Sequence, residues 1–155
     1  MFKLPAIDPR DVPAERRVSY PAPFAQRVSG RVRRRVGDAL GLRNFGVNLT
    51  LIEPGGQSAL RHWHTRQDEF IYVLEGELVL VTDDGEQVLT QGMAAGFPAG
   101  SGDGHHLVNR TSHPAVYLEV GDRAPGDDVH YPDDDLVGHA GPAPRVFRNR
   151  DGQPY

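Results

Sequence analysis

The chain has no cysteine among its 155 residues. That absence excludes disulfide scaffolds, thiolate metal ligands and cysteine nucleophiles together. Lysine is almost missing as well. Lys3 is the only one, and its place in the extreme N-terminal arm argues against Schiff-base chemistry inside the domain. No apolar run approaches the roughly 20 residues of a membrane-spanning helix. No basic segment followed by an apolar stretch opens the chain, so a soluble, cytoplasmic protein is the expectation.

What is abundant is punctuation. Glycine (18) and proline (13) together make up a fifth of the residues, which breaks up long helices and suits many short strands joined by turns. The net charge of −4 conceals an asymmetry. Residues 1–45 carry ten basic and four acidic side chains, residues 46–155 seven basic and seventeen acidic. The cluster Arg31, Arg33, Arg34, Arg35 resembles a nucleic-acid patch in charge alone. No interleaved aromatics and no DNA-reading motif accompany it, so the expected role is an arm packed on an acidic surface, of its own subunit or of a partner.

Residues 1–27 are rich in proline and read as an extended arm. From Phe45 the pattern changes. Gly46 to Ile52 alternates and stops at the turn Glu53-Pro54-Gly55-Gly56. Strands are then expected over Ala59 to His64, Glu69 to Leu74, Glu77 to Thr82, Glu86 to Leu89, Gly92 to Phe97, His105 to Asn109 and Ala115 to Val120. Strands at 8–12-residue spacing point to an all-β sandwich or barrel, with Ile71, Val73, Leu78, Leu80, Leu107 and Leu118 on its apolar faces. The segment from Gly121 onward, with Asp127-Asp128 and Asp133-Asp134-Asp135, reads as an irregular acidic tail.

One constellation carries chemistry. In a strand, side chains at i and i+2 share a face, so His62 and His64 project together with Trp63 opposite. Glu69 opens the next strand after a polar turn. Two imidazoles and a carboxylate converging from adjacent strands suit a divalent cation. Further on, Gly100, Gly102 and Gly104 turn the backbone sharply just before His105.

These two segments resemble the paired signature motifs of the cupin superfamily, Gly-x5-His-x-His-x4-Glu-x6-Gly and Gly-x5-Pro-x-Gly followed by His-x3-Asn. The first, Gly56 to Gly76, matches at every position. In the second, Gly92, Pro98 and Gly100 match, but His105 follows two residues later than the commonest spacing, where Asp103 stands. His105 keeps the distance to Asn109 and is the expected ligand, with Asp103 as the alternative. The segments Phe45 to Leu49, Asp68-Glu69-Phe70, His105-His106-Leu107 and Tyr131-Pro132-Asp133 are similar to a subgroup of small single-domain bacterial cupins.

The resemblance implies a double-stranded β-helix, a jelly-roll-like barrel over residues 36–121, with an N-terminal arm of residues 1–35 and a tail of residues 122–155 packing on it. It implies one divalent metal ion (Zn, Fe, Mn or Ni) held by His62, His64, Glu69 and His105, and a homodimer in which the arm lies across the partner. His106 should face away from that site. His113, His130 and His139 are expected in turns or on the surface, and Asp133 to Asp135 in a solvated turn. Three imidazoles and one carboxylate leave an octahedral ion two open positions, for Lewis-acid or oxygen-activating chemistry. The expected function is therefore a metal-dependent small-molecule enzyme, either an isomerase of a sugar or sugar phosphate or a dioxygenase. The alternative is a non-catalytic metal-containing module that binds or senses a small metabolite. For sugar-phosphate work the pocket needs basic residues, and strand parity turns the candidates Arg61 and Arg110 away from the ligands' face.

Overall fold

Alternating β-branched and polar residues set the period of two that a half-buried strand requires, and short strands are what this chain forms. The computed structural model describes residues 5–140 and 145–155; Lys3 lies outside the described residues. In chain order the strands are β1 (Ala14–Glu15), β2 (Arg31–Arg34), β3 (Phe45–Ile52), β4 (Trp63–His64), β5 (Glu69–Glu75), β6 (Glu77–Thr82), β7 (Gly85–Thr90), β8 (Ala94–Phe97), β9 (His106–Val108), β10 (Ala115–Asp122), β11 (Val129–Tyr131), β12 (Leu136–His139) and β13 (Val146–Arg148). A single helical turn, α1 (Val36–Ala39), precedes β3. No helix among the described residues is long and apolar enough to cross a membrane.

One layer is an antiparallel six-stranded sheet in the order β1-β2-β3-β10-β5-β8. The second layer comprises β7-β6-β9 and β13-β12-β11-β4. Bridges between His62 and His105 and between Gln57 and Val108 join these two groups edge to edge. The layers enclose Ile52, Ile71, Val73, Leu78, Leu80, Leu89, Leu107, Ala115 and Tyr117, which form the barrel's core. The fold is thus the all-β, jelly-roll-like barrel expected from the sequence.

The register explains one difference. Leu118 is not a core residue. On β10, Ala115 and Tyr117 are buried, so period-two alternation turns Leu118 outward, opposite Leu49 on β3 and Tyr72 on β5. The tail differs too: residues that read as irregular supply β11, β12 and β13. Val129, Tyr131 and Leu136 pack with Leu60 and with Phe24 and Val28 of the arm in a second core cluster. Short strands of three or four residues framed by aspartates carry too little alternation to be seen in the sequence.

The arm lies on its own chain. Arg31 pairs with Ile52 and Arg33 with Thr50 as β2 extends the sheet beside β3. The arginine cluster lies against its own subunit. Arg31 and Arg33 face inward with Thr50 and Ile52, Arg34 donates to the Val12 carbonyl, and Arg35 donates to Glu15 at 2.9 Å.

The glycines that bracket the first motif are required by space. A Cβ on Gly56 would lie 2.8 Å from the Ser29 carbonyl oxygen. Gly76 has φ +76° in the β5–β6 turn, where a Cβ would lie 2.9 Å from the Pro114 oxygen. Asn109, fully buried, closes the second motif. Its Nδ2 donates to the carbonyls of Ile52 (2.9 Å) and His113 (2.7 Å), and its Oδ1 accepts from Thr111 N (2.9 Å) and Oγ1 (2.8 Å). Asn109→Leu strands these groups away from water. It should lower the unfolding free energy by about 2–4 kcal/mol in chemical denaturation; a loss below about 0.5 kcal/mol would contradict this account of the loop.

Candidate metal centre

The bridge between the two parts of the second layer builds half of the site. His62 and His105 exchange both backbone hydrogen bonds, His62 N to His105 O at 3.1 Å and His105 N to His62 O at 2.8 Å. Directly opposed residues share a face, so the two imidazoles lie together with ring centroids 4.7 Å apart. His64 follows two residues after His62, with its ring centroid 5.3 Å from that of His62, while Trp63 turns away and stacks on His130. Glu69 enters from the facing sheet, on the inner side of β5 with Ile71 and Val73. Phe97 of β8, paired with Glu69, stacks flat on His105 at 3.5 Å between centroids.

All three imidazoles aim Nε2 at one oxygen. Glu69 Oε2 lies 2.9 Å from His105 Nε2, 3.4 Å from His62 Nε2 and 3.5 Å from His64 Nε2. Close as they are, none of these approaches has hydrogen-bond geometry, and Oε2 is buried without a partner among the described residues. For two of the rings the other nitrogen explains why, while His105 Nδ1 is buried without a partner among the described residues. His62 Nδ1 donates to the Leu60 carbonyl at 2.7 Å, and His64 Nδ1 donates to Asp127 Oδ2 at 2.7 Å. A neutral ring that donates through Nδ1 offers only a lone pair at Nε2, and lone pairs facing a carboxylate oxygen call for a cation between them. Ligand atoms of His62, Glu69 and His105 lie within 4.8 Å of one another; His64 is outside that group, with its Nε2 3.5 Å from the same carboxylate.

Burial and charge act against each other in the site. Burial pushes the Glu69 carboxyl up, but the His105 and His62 rings against it outweigh burial and hold it well below the usual carboxylate range. Burial lowers His62, yet the neighbouring Glu69 carries it above the ordinary imidazole value. His105 falls below that value because burial dominates.

Asp103 is not in the site: its carboxylate accepts from Asp83 N at 2.8 Å on the β6–β7 hairpin. His106 points outward, its Nδ1 against the Ala59 carbonyl at 3.1 Å. His113 is exposed in its turn, and His139 lies 3.4 Å from Asp128. Arg61 pairs with Asp133 and Asp83, and Arg110 with Glu86, so both face away from the cavity.

Sequence reasoning missed four participants. Asp127, in the tail, is 2% exposed and anchors His64; it also accepts from Arg66 N at 3.0 Å and from Arg145 at 3.1 Å. Arg31, Arg33 and Glu119 line the cavity beside the histidines. The alternation Arg31-Val32-Arg33 signals that the two arginines share a face, but not which face that is. Nothing local marks Asp127. Asp127→Asn would place an amide N–H against His64 Nδ1–H and Arg145, and outer partners of this kind govern metal affinity. Competition with a chelator should show about 10–100-fold weaker metal binding; unchanged affinity would remove Asp127 from the account.

A family model described as a cupin domain matches residues 48–121. The tetracenomycin polyketide synthase protein TcmJ of Streptomyces glaucescens is 32% identical over 90 residues; the match covers 57% of this chain and only 59% of that protein. Among solved structures, the polyketide cyclase RemF of Streptomyces resistomycificus is 26% identical, with 79% of this chain and 80% of that chain covered and a TM-score of 0.64. A sugar phosphate isomerase of the cupin superfamily from Silicibacter pomeroyi is 43% identical, with 97% of this chain and 96% of that chain covered and a TM-score of 0.93. Similar from end to end to that structure, with the matched domain spanning the strands that carry Glu69 and its histidines, this chain belongs to the cupin superfamily.

Proposed function

We propose that His62, His64, Glu69 and His105 hold one divalent metal ion, and that the chain is an enzyme isomerising a small sugar phosphate. The observation that carries the metal is Glu69 Oε2, buried and unpartnered among three Nε2 atoms. When bound, such an ion supplies Lewis acidity toward a hydroxyl or carbonyl oxygen. The cavity measures about 230 Å³, a size that suits a single small sugar.

The chain supplies the proton chemistry. Glu119 is the cavity's carboxylate outside the four ligands. Arg33 holds it at 3.0 Å, Tyr117 donates to it at 3.2 Å and Asn48 at 3.2 Å. Interconverting an aldose and a ketose moves a proton between adjacent carbons, and a fixed carboxylate facing the substrate is suited to carry it. Ile71, Leu107 and Phe97 give the cavity an apolar inner wall.

The test is to load the protein with Zn, Mn, Ni or Fe and follow phosphorylated aldoses in D2O by NMR. The expected result is ketose formation with solvent deuterium at the carbon that exchanges its proton, lost in Glu119→Gln with metal content unchanged. Product formation only with iron under oxygen would replace the isomerase by a dioxygenase. No turnover in any metal form, with a metabolite raising the melting temperature, would leave a non-catalytic binding module.

The same reading includes a homodimer. The outer face of the six-stranded sheet is apolar along Leu49, Leu51, Leu118 and Val120, and Phe70 and Tyr72 are 43% and 39% exposed on it. Contiguous apolar surface of this kind favours association. Sedimentation should give a dimer at micromolar concentration and a monomer for Tyr72→Glu; a monomeric wild type, or a dimeric variant, would contradict the interface.

A further inference from the structure

We infer that Arg31, with Arg33 beside it on β2, binds the oxyanion of the ligand, a phosphate or a carboxylate, inside the cavity that holds the histidines. This rests on the reading of that cavity as the substrate site, and it names the class of molecule admitted: an anion.

The cavity carries an imbalance of charge. Parity on β2 sends Arg31 and Arg33 inward, opposite Ile52 and Thr50, and both line the cavity with His62 and His105. Arg33 has a carboxylate, Glu119, at 3.0 Å. Arg31 has none: among the described residues its hydrogen bond is to a neutral acceptor, the Ser58 carbonyl, at 2.8 Å. Arg31 is only 9% exposed, and its Nε, like that of Arg33, is buried without a partner. Arg145, the third arginine at the cavity, is already engaged by Asp127.

A guanidinium withdrawn from water without a counter-ion is costly, and proteins rarely keep one unless something satisfies it. Burial depresses Arg31 below its usual range, and the like charge of Arg33 adds to that. Glu69 forms no ion pair with Arg31; its carboxylate faces the three histidines. Two guanidiniums therefore face one free carboxylate, and the remaining positive charge lies in a cavity open to a small molecule. The planar fork of arginine matches the oxygens of phosphate and carboxylate. A neutral sugar or dioxygen would leave that charge unanswered.

A structural role, holding the Ser58 carbonyl, makes a different forecast. If Arg31 is kept for a ligand, its removal relieves an unpaired buried charge and stability holds or rises, as at other sites where function opposes stability. If Arg31 is kept for the fold, stability falls.

The experiment uses the metal-loaded full chain titrated calorimetrically with inorganic phosphate and, separately, with acetate. The wild type should bind at least one of them: phosphate preferred identifies a phosphorylated ligand, acetate preferred a carboxylate. Arg31→Met should weaken that binding at least tenfold, with metal content unchanged and the melting temperature equal or higher. Arg31→Lys, which keeps the charge and loses the fork, should bind more weakly than wild type and more tightly than Arg31→Met. Arg110→Gln, on the outer surface, should bind as wild type does. Equal binding by wild type and Arg31→Met would place the anion on the metal alone and overturn the inference. So would a wild type that binds neither anion, or an Arg31→Met protein that loses stability or fails to fold. Repeating the titration on metal-free protein separates this result from the catalytic reading: Arg31-dependent binding there stands even if no sugar phosphate is turned over.

Discussion

Alanine at His62 or at His64 should abolish stoichiometric metal while leaving a folded barrel. Each substitution removes one of the Nε2 atoms that converge on Glu69 Oε2, from 3.4 and 3.5 Å respectively. The backbone around them does not depend on the rings: the His62–His105 bridge is made by main-chain groups, and the core residues lie deeper in the barrel. Losing an outer partner of a ligand costs about 10–100-fold in affinity, and losing the ligand itself should cost more than that. Equilibrium dialysis at micromolar metal should find occupancy near zero in either variant. Acid should mimic the substitutions, because protons compete with the metal for the same lone pairs. At His62 the neighbouring Glu69 outweighs burial and raises the ring's affinity for that competing proton. Occupancy of the wild type should therefore drop as the pH is lowered through about 6. Occupancy that is flat down to about pH 4.5, where ordinary imidazoles are fully protonated, would contradict imidazole ligation.

The second large effect is on turnover. Glu69→Gln keeps the size of the side chain and removes the site's one anionic ligand, so the charge at a bound divalent ion rises from about +1 to about +2. That change alters the acidity of any oxygen the ion polarises and the energetics of any redox step. Glu69 stands at the start of β5, 19% exposed as a side chain, outside the apolar cluster. Thermal unfolding should therefore remain cooperative and near that of the wild type. Turnover on the true substrate should fall by a factor of about 100 or more, on the scale of losing an electrostatic catalytic group. A variant that keeps wild-type kcat would show that the carboxylate is not part of the chemistry.

Much of this was legible before the fold. The spacing His62-x-His64 with Glu69 after a polar turn places three side chains by parity alone, and the four-residue interval from His105 to Asn109 selected the histidine over Asp103. What escaped detection depends on pairings between distant segments. Leu118 reads as a core residue because its polar neighbour Glu119 reads as the outward-facing one, whereas Glu119 lines the cavity. Asp127 looked like part of an acidic tail; its burial comes only from β11 pairing with β4, 63 residues from His64 along the chain. Arg31 and Arg33 were counted as charge on an arm. Their inward face follows from the register of β2 on β3, which no local pattern of a four-residue strand can specify.

The most direct test of the central claim is an anomalous-scattering map of metal-loaded crystals. The account predicts one peak per chain, about 2.0–2.3 Å from the Nε2 atoms of His62, His64 and His105 and from a carboxylate oxygen of Glu69. A peak elsewhere, or one that leaves Glu69 or any of the three histidines beyond coordination distance, would contradict it.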